Sequence, residues 1–247
     1  MTPYQTFFEL HHQASPFLIA NAWNAKSAQL IQAVGFAAVA TSSGAIADSL
    51  GYADGEKIPF EELLYIVKRI KASIDIPLSV DFERGYSADL TVISEHIQHL
   101  LDIGVVGINI EDTEGGDVYL RKLNGIKNYL AKTSQQLFIN ARTDVFLQKL
   151  PQPLETVINR AKLYYEAGAD GLFVTGIGDP AVINEITSNV SLPVNIVGNP
   201  ALASVEALGN IGVKRISMAV IPYRATYNYL KQVTESIITT QSLAPLF

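Results

Sequence analysis

Three carboxylates stand where apolar runs of the chain end: Asp81, Glu83 and Glu111. Asp81 closes the run Leu78–Asp81, Glu83 follows it, and Glu111 follows the run Val106–Ile110. Alternate residues of a strand point the same way, so Asp81 and Glu83 can share one site. Like charges brought together repel unless a cation or a proton neutralises them. Oxygen ligands without a cysteine or a nearby histidine suit Mg2+, or Mn2+, rather than Zn2+. The competing role for an acid at a strand end is to cap the next helix, which explains one such residue better than three together. Arg142 lies beyond the run Leu137–Asn140. It can balance the acids or clamp a substrate carboxylate, because its planar fork matches one. Ser42-Ser43-Gly44 after Thr41 reads either as an ordinary turn or as a nest of N–H donors for an oxyanion.

Such groups need a scaffold that brings distant strand ends together. Eight short apolar runs recur, near residues 17–20, 37–41, 78–81, 106–110, 137–140, 171–175, 193–197 and 214–218. Runs without alternation read as strands covered on both faces. Helical spacing fills the gaps between them, as in Leu63, Ile66 and Ile70, in Ile93, Ile97 and Leu100, and in Val157, Ala161 and Tyr164. Gly35, Gly104, Gly168 and Gly212 each stand between a helical pattern and a strand, the place where a helix turns left-handed as it ends. Eight strands alternating with helices in 247 residues match a single (β/α)8 TIM-type barrel over residues 1–247. An open doubly wound sheet uses the same local units, but no glycine-rich dinucleotide fingerprint follows the first strand. In a barrel the chemistry sits at the carboxyl ends of the strands, and this rule gathers the acids on one face. Asn195 and Arg215 fall in the last two strands, and a final helix is expected at about 221–241 with an apolar tail that packs on its own barrel or on a partner subunit.

Composition narrows the function. There are 18 Lys and Arg against 24 Asp and Glu, a net charge of −6, and no basic run, so nucleic acid and anionic membrane are poor partners. With 48% hydrophobic and 17% charged residues the chain is not disordered. Cysteine is absent, which removes disulfides, thiolate metal sites and a cysteine nucleophile, and fits a cytoplasmic location. No apolar stretch approaches the roughly 18–20 residues that span a bilayer. His11, His12, His96 and His99 all fall on helical patterns, away from the strand ends.

The ordered set Asn21-Ala-Trp-Asn24, Thr41-Ser-Ser-Gly44, Ser49 to Asp54, Asp81-Phe-Glu83, Gly107 to Asp112, Ile139 to Asp144 and Gly168 to Phe173 resembles the isocitrate lyase/phosphoenolpyruvate mutase superfamily, in its short branch. The resemblance implies a modified (β/α)8 barrel that binds Mg2+ and a small 2-oxo acid or phosphonate, and that makes or breaks a C–C or P–C bond beside the ketone through an enolate. It implies that Asp81 is the central metal-side carboxylate and that Glu83 and Glu111 hold metal waters. Asp54 then stands as a catalytic group near the substrate. Ser42, Ser43 and Gly44 give donors to the substrate carboxylate, Arg142 contacts the substrate or the developing anion, and Asn195 lines the far wall. A homo-oligomer with an exchanged terminal helix is also implied. The segment Thr113–Lys122 stands where the lyases carry a cysteine-containing gating loop; it has no cysteine, which sets the chain apart from cysteine-dependent isocitrate lyases. Its Gly115-Gly116 is expected to close over the site. Glu83 stands where the family has Asp. Hydrolysis or decarboxylation of oxaloacetate or phosphonopyruvate on the same site, and non-catalytic binding of an oxo acid, are the rival readings.

Overall fold

The apolar runs become eight parallel strands: β1 (Phe17–Ala22), β2 (Val39–Thr41), β3 (Leu78–Asp81), β4 (Gly107–Glu111), β5 (Phe138–Thr143), β6 (Gly171–Val174), β7 (Val194–Val197) and β8 (Val213–Ser217). This is a computed structural model and describes residues 1–202 and 204–247. Each strand pairs with the next, and β8 pairs with β1, so the sheet closes into a barrel. Closure excludes the open-sheet alternative and brings all eight carboxyl ends to one mouth.

Ten helices accompany the strands: α1 (Pro3–Leu10), α2 (Ala25–Ala33), α3 (Ser43–Ser49), α4 (Phe60–Lys71), α5 (Leu90–Asp102), α6 (Gly116–Thr133), α7 (Pro153–Glu166), α8 (Pro180–Asn189), α9 (Val205–Asn210) and α10 (Ile221–Thr240). Their apolar stripes face the barrel. Leu63, Val67 and Ile70 of α4 are buried, as are Ile93, Ile97 and Leu100 of α5. Asn24, Asp89 and Asp179 cap α2, α5 and α8 through their side-chain oxygens. Gly35, Gly104, Gly168 and Gly212 all take positive φ, between 85° and 97°, at the exits from helix to strand.

The amino-terminal end of the barrel is plugged. Helix α1 lays Phe7 and Leu10 against Phe17 and Phe138, which open β1 and β5. His11 joins this cluster, stacked on Phe138. Above the plug the barrel interior is polar: Ser79, Asn140, Asn195 and Arg215 are almost fully buried. Helix α10 lies largely outside this packing, with Tyr223 its one buried side chain and Tyr229, Leu230 and Ile238 exposed.

Candidate active site

The mouth is built from residues that close β2, β3, β4 and β5. Asp81 ends β3, and its backbone N–H donates to Thr41 Oγ1 at 2.9 Å. Its Oδ2 accepts from the N–H and the hydroxyl of Ser43, at 3.2 and 2.8 Å. Its Oδ1 is buried and has no partner among the described residues. Ser42 caps α3 by accepting from the N–H of Ala45. Gly44 cannot carry a side chain without displacing Asp54, whose Oδ2 would lie 3.0 Å from the added carbon. Asp54 is thereby drawn against the first turn of α3.

Glu83 reaches this place by an unexpected route. Strand β3 stops at Asp81, and Glu83 sits in a turn with φ 46°. Its orientation comes from that left-handed turn, not from strand alternation as the two-residue spacing suggests. It is 3% exposed, and Tyr86 donates to its carboxylate at 2.8 Å. Burial, then the neighbouring charges of Asp81, Asp54 and Glu111, push its pKa up to about 8. Glu111 ends β4, accepts from the Thr113 hydroxyl, and pairs with Arg142 at 3.0 Å. Burial outweighs that pairing and pushes its pKa up to about 7, with Asp81 and Asp144 adding to the rise.

Arg142 is the one cation lining the cavity where Asp81, Asn109 and Ser42 meet. Asp144 grips it with two bonds, 2.7 and 2.8 Å, leaving Nη1 on Glu111. Burial opposes its charge, but the Asp144 bonds and the fields of Asp81 and Glu111 raise its pKa above the usual arginine value. Asp144 is itself held by Thr175, and its N–H donates to Asp112. Asp112 is buried and takes bonds from Arg160 and Tyr164. The orientation of Arg142 is thus set by a chain of side chains reaching back to α7.

Asp81, Glu83 and Glu111 lie close enough to act on one another through their charges, though among the described residues no three His, Asp or Glu side chains are already disposed around one point. Arg142 and Thr113 occupy Glu111, Tyr86 occupies one oxygen of Glu83, and Asp81 Oδ1 is the one of their oxygens that is both buried and unpartnered. Ser42 and Ser43 both line the mouth, and the Ser43 hydroxyl and N–H donate to Asp81. Asn195 is fully buried beneath the mouth, beside Arg215 in register; Val197, two residues on, lines the cavity wall in its place. Gly115 ends a tight turn, α6 begins at Gly116, and buried Lys122 ties this start down through Glu114 (2.6 Å) and the Arg84 carbonyl (2.8 Å). The histidines stay away from the mouth, His96 stacked on Phe60 and His11 in the lower plug.

Asp144 lies two residues after Arg142 at a strand end, a distance at which side chains share a face, and this spacing marks it as the partner of Arg142. Asn21, next to last in β1, and Asn109, in the middle of β4, also line the mouth.

Chemically, the mouth gathers Asp54, Asp81, Glu83, Glu111 and Asp144 about Arg142, with Arg224 in its polar half beside Asp54. An unpartnered buried carboxylate oxygen beside two acids pushed toward neutrality is what a hard divalent cation relieves. The donor set therefore fits Mg2+ or Mn2+, with Asp81 as the side chain free to bind it.

Comparison with known proteins places this arrangement. The family model described as phosphoenolpyruvate phosphomutase matches residues 7–238. An uncharacterized protein of Mycobacterium tuberculosis is 34% identical over 221 residues, 89% of this chain and 84% of that one. An oxaloacetate decarboxylase of Pseudomonas fluorescens is 28% identical, over 97% of this chain and 88% of that one. A solved structure from Burkholderia cenocepacia, provisionally named a phosphonomutase, superposes with a TM-score of 0.90 at 31% identity, covering 94% of this chain and 99% of that one.

Proposed function

The chain belongs to the phosphoenolpyruvate phosphomutase family, and on that premise we propose that it is a Mg2+-dependent lyase or phosphonomutase-type enzyme. It breaks or rearranges a C–C or P–C bond beside the carbonyl of a small 2-oxo acid, leaving an enolate. The observation that carries this reading is the mouth itself: one orphaned carboxylate oxygen on Asp81, two acids pushed up toward neutral pH, and one clamped arginine.

Asp81 would hold the metal, with Glu83 and Glu111 beside it; Mn2+ fits the same oxygens. When bound, the ion supplies Lewis-acid stabilisation of negative charge on the oxo oxygen, worth several kcal/mol. Ser43 keeps the Asp81 carboxylate turned toward the mouth. Arg142, fixed by Asp144, meets the substrate carboxylate or the charge that develops as the bond breaks, and it is already oriented when that charge appears. Ser42 and Gly44 line the polar half of the mouth with Asp54, where they can receive the carboxylate of the oxo acid. Tyr86 holds Glu83 in place. A second copy of the chain is proposed to cover the exposed apolar side chains of α10. No described helix is long and apolar enough to cross a membrane.

Product analysis on a panel of 2-oxo acids and phosphonopyruvate, with Mg2+ and with a chelator, tests the reading. Metal-dependent cleavage or rearrangement next to the ketone is expected. Release of phosphate or CO2 by itself would instead assign a hydrolase or a decarboxylase. No turnover together with no Mg2+-linked binding of oxalate would reject the reading.

A further inference from the structure

The mouth has two unlike halves. One, of about 410 Å³, is polar and holds Asp48, Asp54, Tyr52 and Arg224 around the first turn of α3. The other, of about 420 Å³, runs to the opposite side of the barrel, where β6 and β7 stand half a circuit from β2 and β3. Both share Ser42, Asp81 and Arg142 at their junction. Resting on the oxo-acid reading of that junction, the composition of the second half bears on what the rest of the substrate is.

Its far wall is formed by Leu147, Phe173, Ile177 and Val197, with Thr175 and Asn199 as the polar members. The charged side chains lining this half are Asp81 and Arg142 alone, both at the junction. The Thr175 hydroxyl is already spent on Asp144 and the Thr143 carbonyl. Asn199 Oδ1 accepts from the N–H of Ala201, and its amide nitrogen, 3.4 Å from where a carbon on Gly178 would lie, leaves this wall a neutral donor but no cation. The start of α8 just beyond the wall is closed by the Asp179 carboxylate, which accepts from the N–H of Ala181 and would repel an anion. Leu147, 54% exposed, reaches over Gly176 at the rim: a carbon added to Gly176 would lie 2.8 Å from the leucine side chain. A carboxylate or phosphonate placed against this wall would lose its water and meet no cation, a costly exchange.

We infer that the substrate is a 2-oxo acid bearing a hydroxyl on the carbon beyond the bond that breaks and an uncharged alkyl tail beyond that carbon. As the hydroxyl loses its proton, the departing fragment leaves as an alkyl aldehyde or ketone and the bond's electron pair stays on the enolate. The tail is seated between β5, β6 and β7 against Leu147, Phe173, Ile177 and Val197. This selects against substrates carrying a second anionic group at that end.

The test is a calorimetric titration of the full chain in Mg2+ with oxalate, pyruvate, 2-oxobutanoate, 2-oxopentanoate and 2-oxoglutarate. The last two differ only in a methyl against a carboxylate at the chain end. Affinity should rise about threefold to fourfold with each added methylene. 2-Oxoglutarate should bind at least about tenfold more weakly than 2-oxopentanoate. Leu147→Lys, at a half-exposed rim position that leaves the core intact, should narrow or reverse that gap. A flat alkyl series, or 2-oxoglutarate binding as tightly as 2-oxopentanoate in the wild type, overturns the inference while oxalate and pyruvate binding upholds the reading of the junction. That second result would direct the far carboxylate to Arg224 in the polar half. If neither oxalate nor pyruvate binds with Mg2+, the junction reading fails and the inference falls with it.

Discussion

The two ends of the barrel solve opposite problems. At the lower end, Phe7, Phe17 and Phe138 meet edge to face with ring centroids 5.4 to 6.4 Å apart, and His11 is buried among them. Burial, and after it the charge of Arg215, hold the His11 imidazole well below its usual pKa, so it packs as a neutral ring. At the upper end, Glu83 and Glu111 are buried beside other acids and their pKa values rise. One end gains stability from apolar contact; the other stores electrostatic repulsion that a ligand can relieve. The lesson is that burial alone does not separate scaffold from site: at the lower end the buried imidazole sheds its charge, while at the upper end several acids are buried within reach of one another's charge.

Four changes break or sharpen this contrast. The largest effect is expected from Asp81→Asn. It removes the carboxylate that holds a buried, unpartnered oxygen, so metal-dependent turnover should fall by at least about 10⁴-fold, several kcal/mol of lost stabilisation. Its melting temperature without metal should hold or rise, because a repelling charge is gone. Phe7→Ala should do the reverse. Thermal unfolding should show a loss of about 3–5 kcal/mol, with kcat per folded molecule unchanged. Arg142→Lys keeps the charge but loses the two-pronged grip of Asp144; kcat/KM should drop about 10²-fold to 10³-fold, with little change in stability.

The fourth change is of pH, and the two ends should respond with opposite sign. Glu83 and Glu111 have folded-state pKa values above the ordinary carboxylate value. Their contribution is intact below about pH 4.5 and is lost as pH rises toward about 8. His11 is lowered, so its contribution is intact above about pH 6.5 and is lost as pH falls below it. Metal-free protein should therefore melt lower at pH 8 than at pH 6 by a few degrees, at about 2–4 °C per kcal/mol. Mg2+ should raise the melting temperature more at pH 8 than at pH 6. His11→Phe should flatten the acid side of the profile and leave the alkaline side unchanged.

Much of this architecture is legible in the residues. The strands show because a strand buried on both faces needs an unbroken apolar run, and the helix exits show because only a glycine turns left-handed there cheaply. The barrel rule then places Asp81, Glu111 and Arg142 at one end, where they are found. What stays hidden is partnership. Ser43 reads as a donor to a ligand, and nothing local says that it turns inward to Asp81. Asn195 reads as a wall residue because its strand is correctly located, but the depth of a residue along a barrel depends on stagger between neighbouring strands. Glu83 shows the same gap in another form: its type is visible, while the turn that aims it depends on where β3 stops pairing. The hold on the segment before α6 is hidden in the same way: Lys122, a full helical turn and more away from Gly116, donates back to Glu114.

If the acidic mouth takes up a divalent cation as proposed, the ion must displace protons from the acids whose pKa values are raised. Calorimetric titration of Mg2+ into metal-free protein at pH 7, in two buffers of different ionisation enthalpy, counts those protons. Binding with net proton release is expected, and Asp81→Asn should abolish it. Binding without proton release, or undiminished binding in Asp81→Asn, would contradict the proposal.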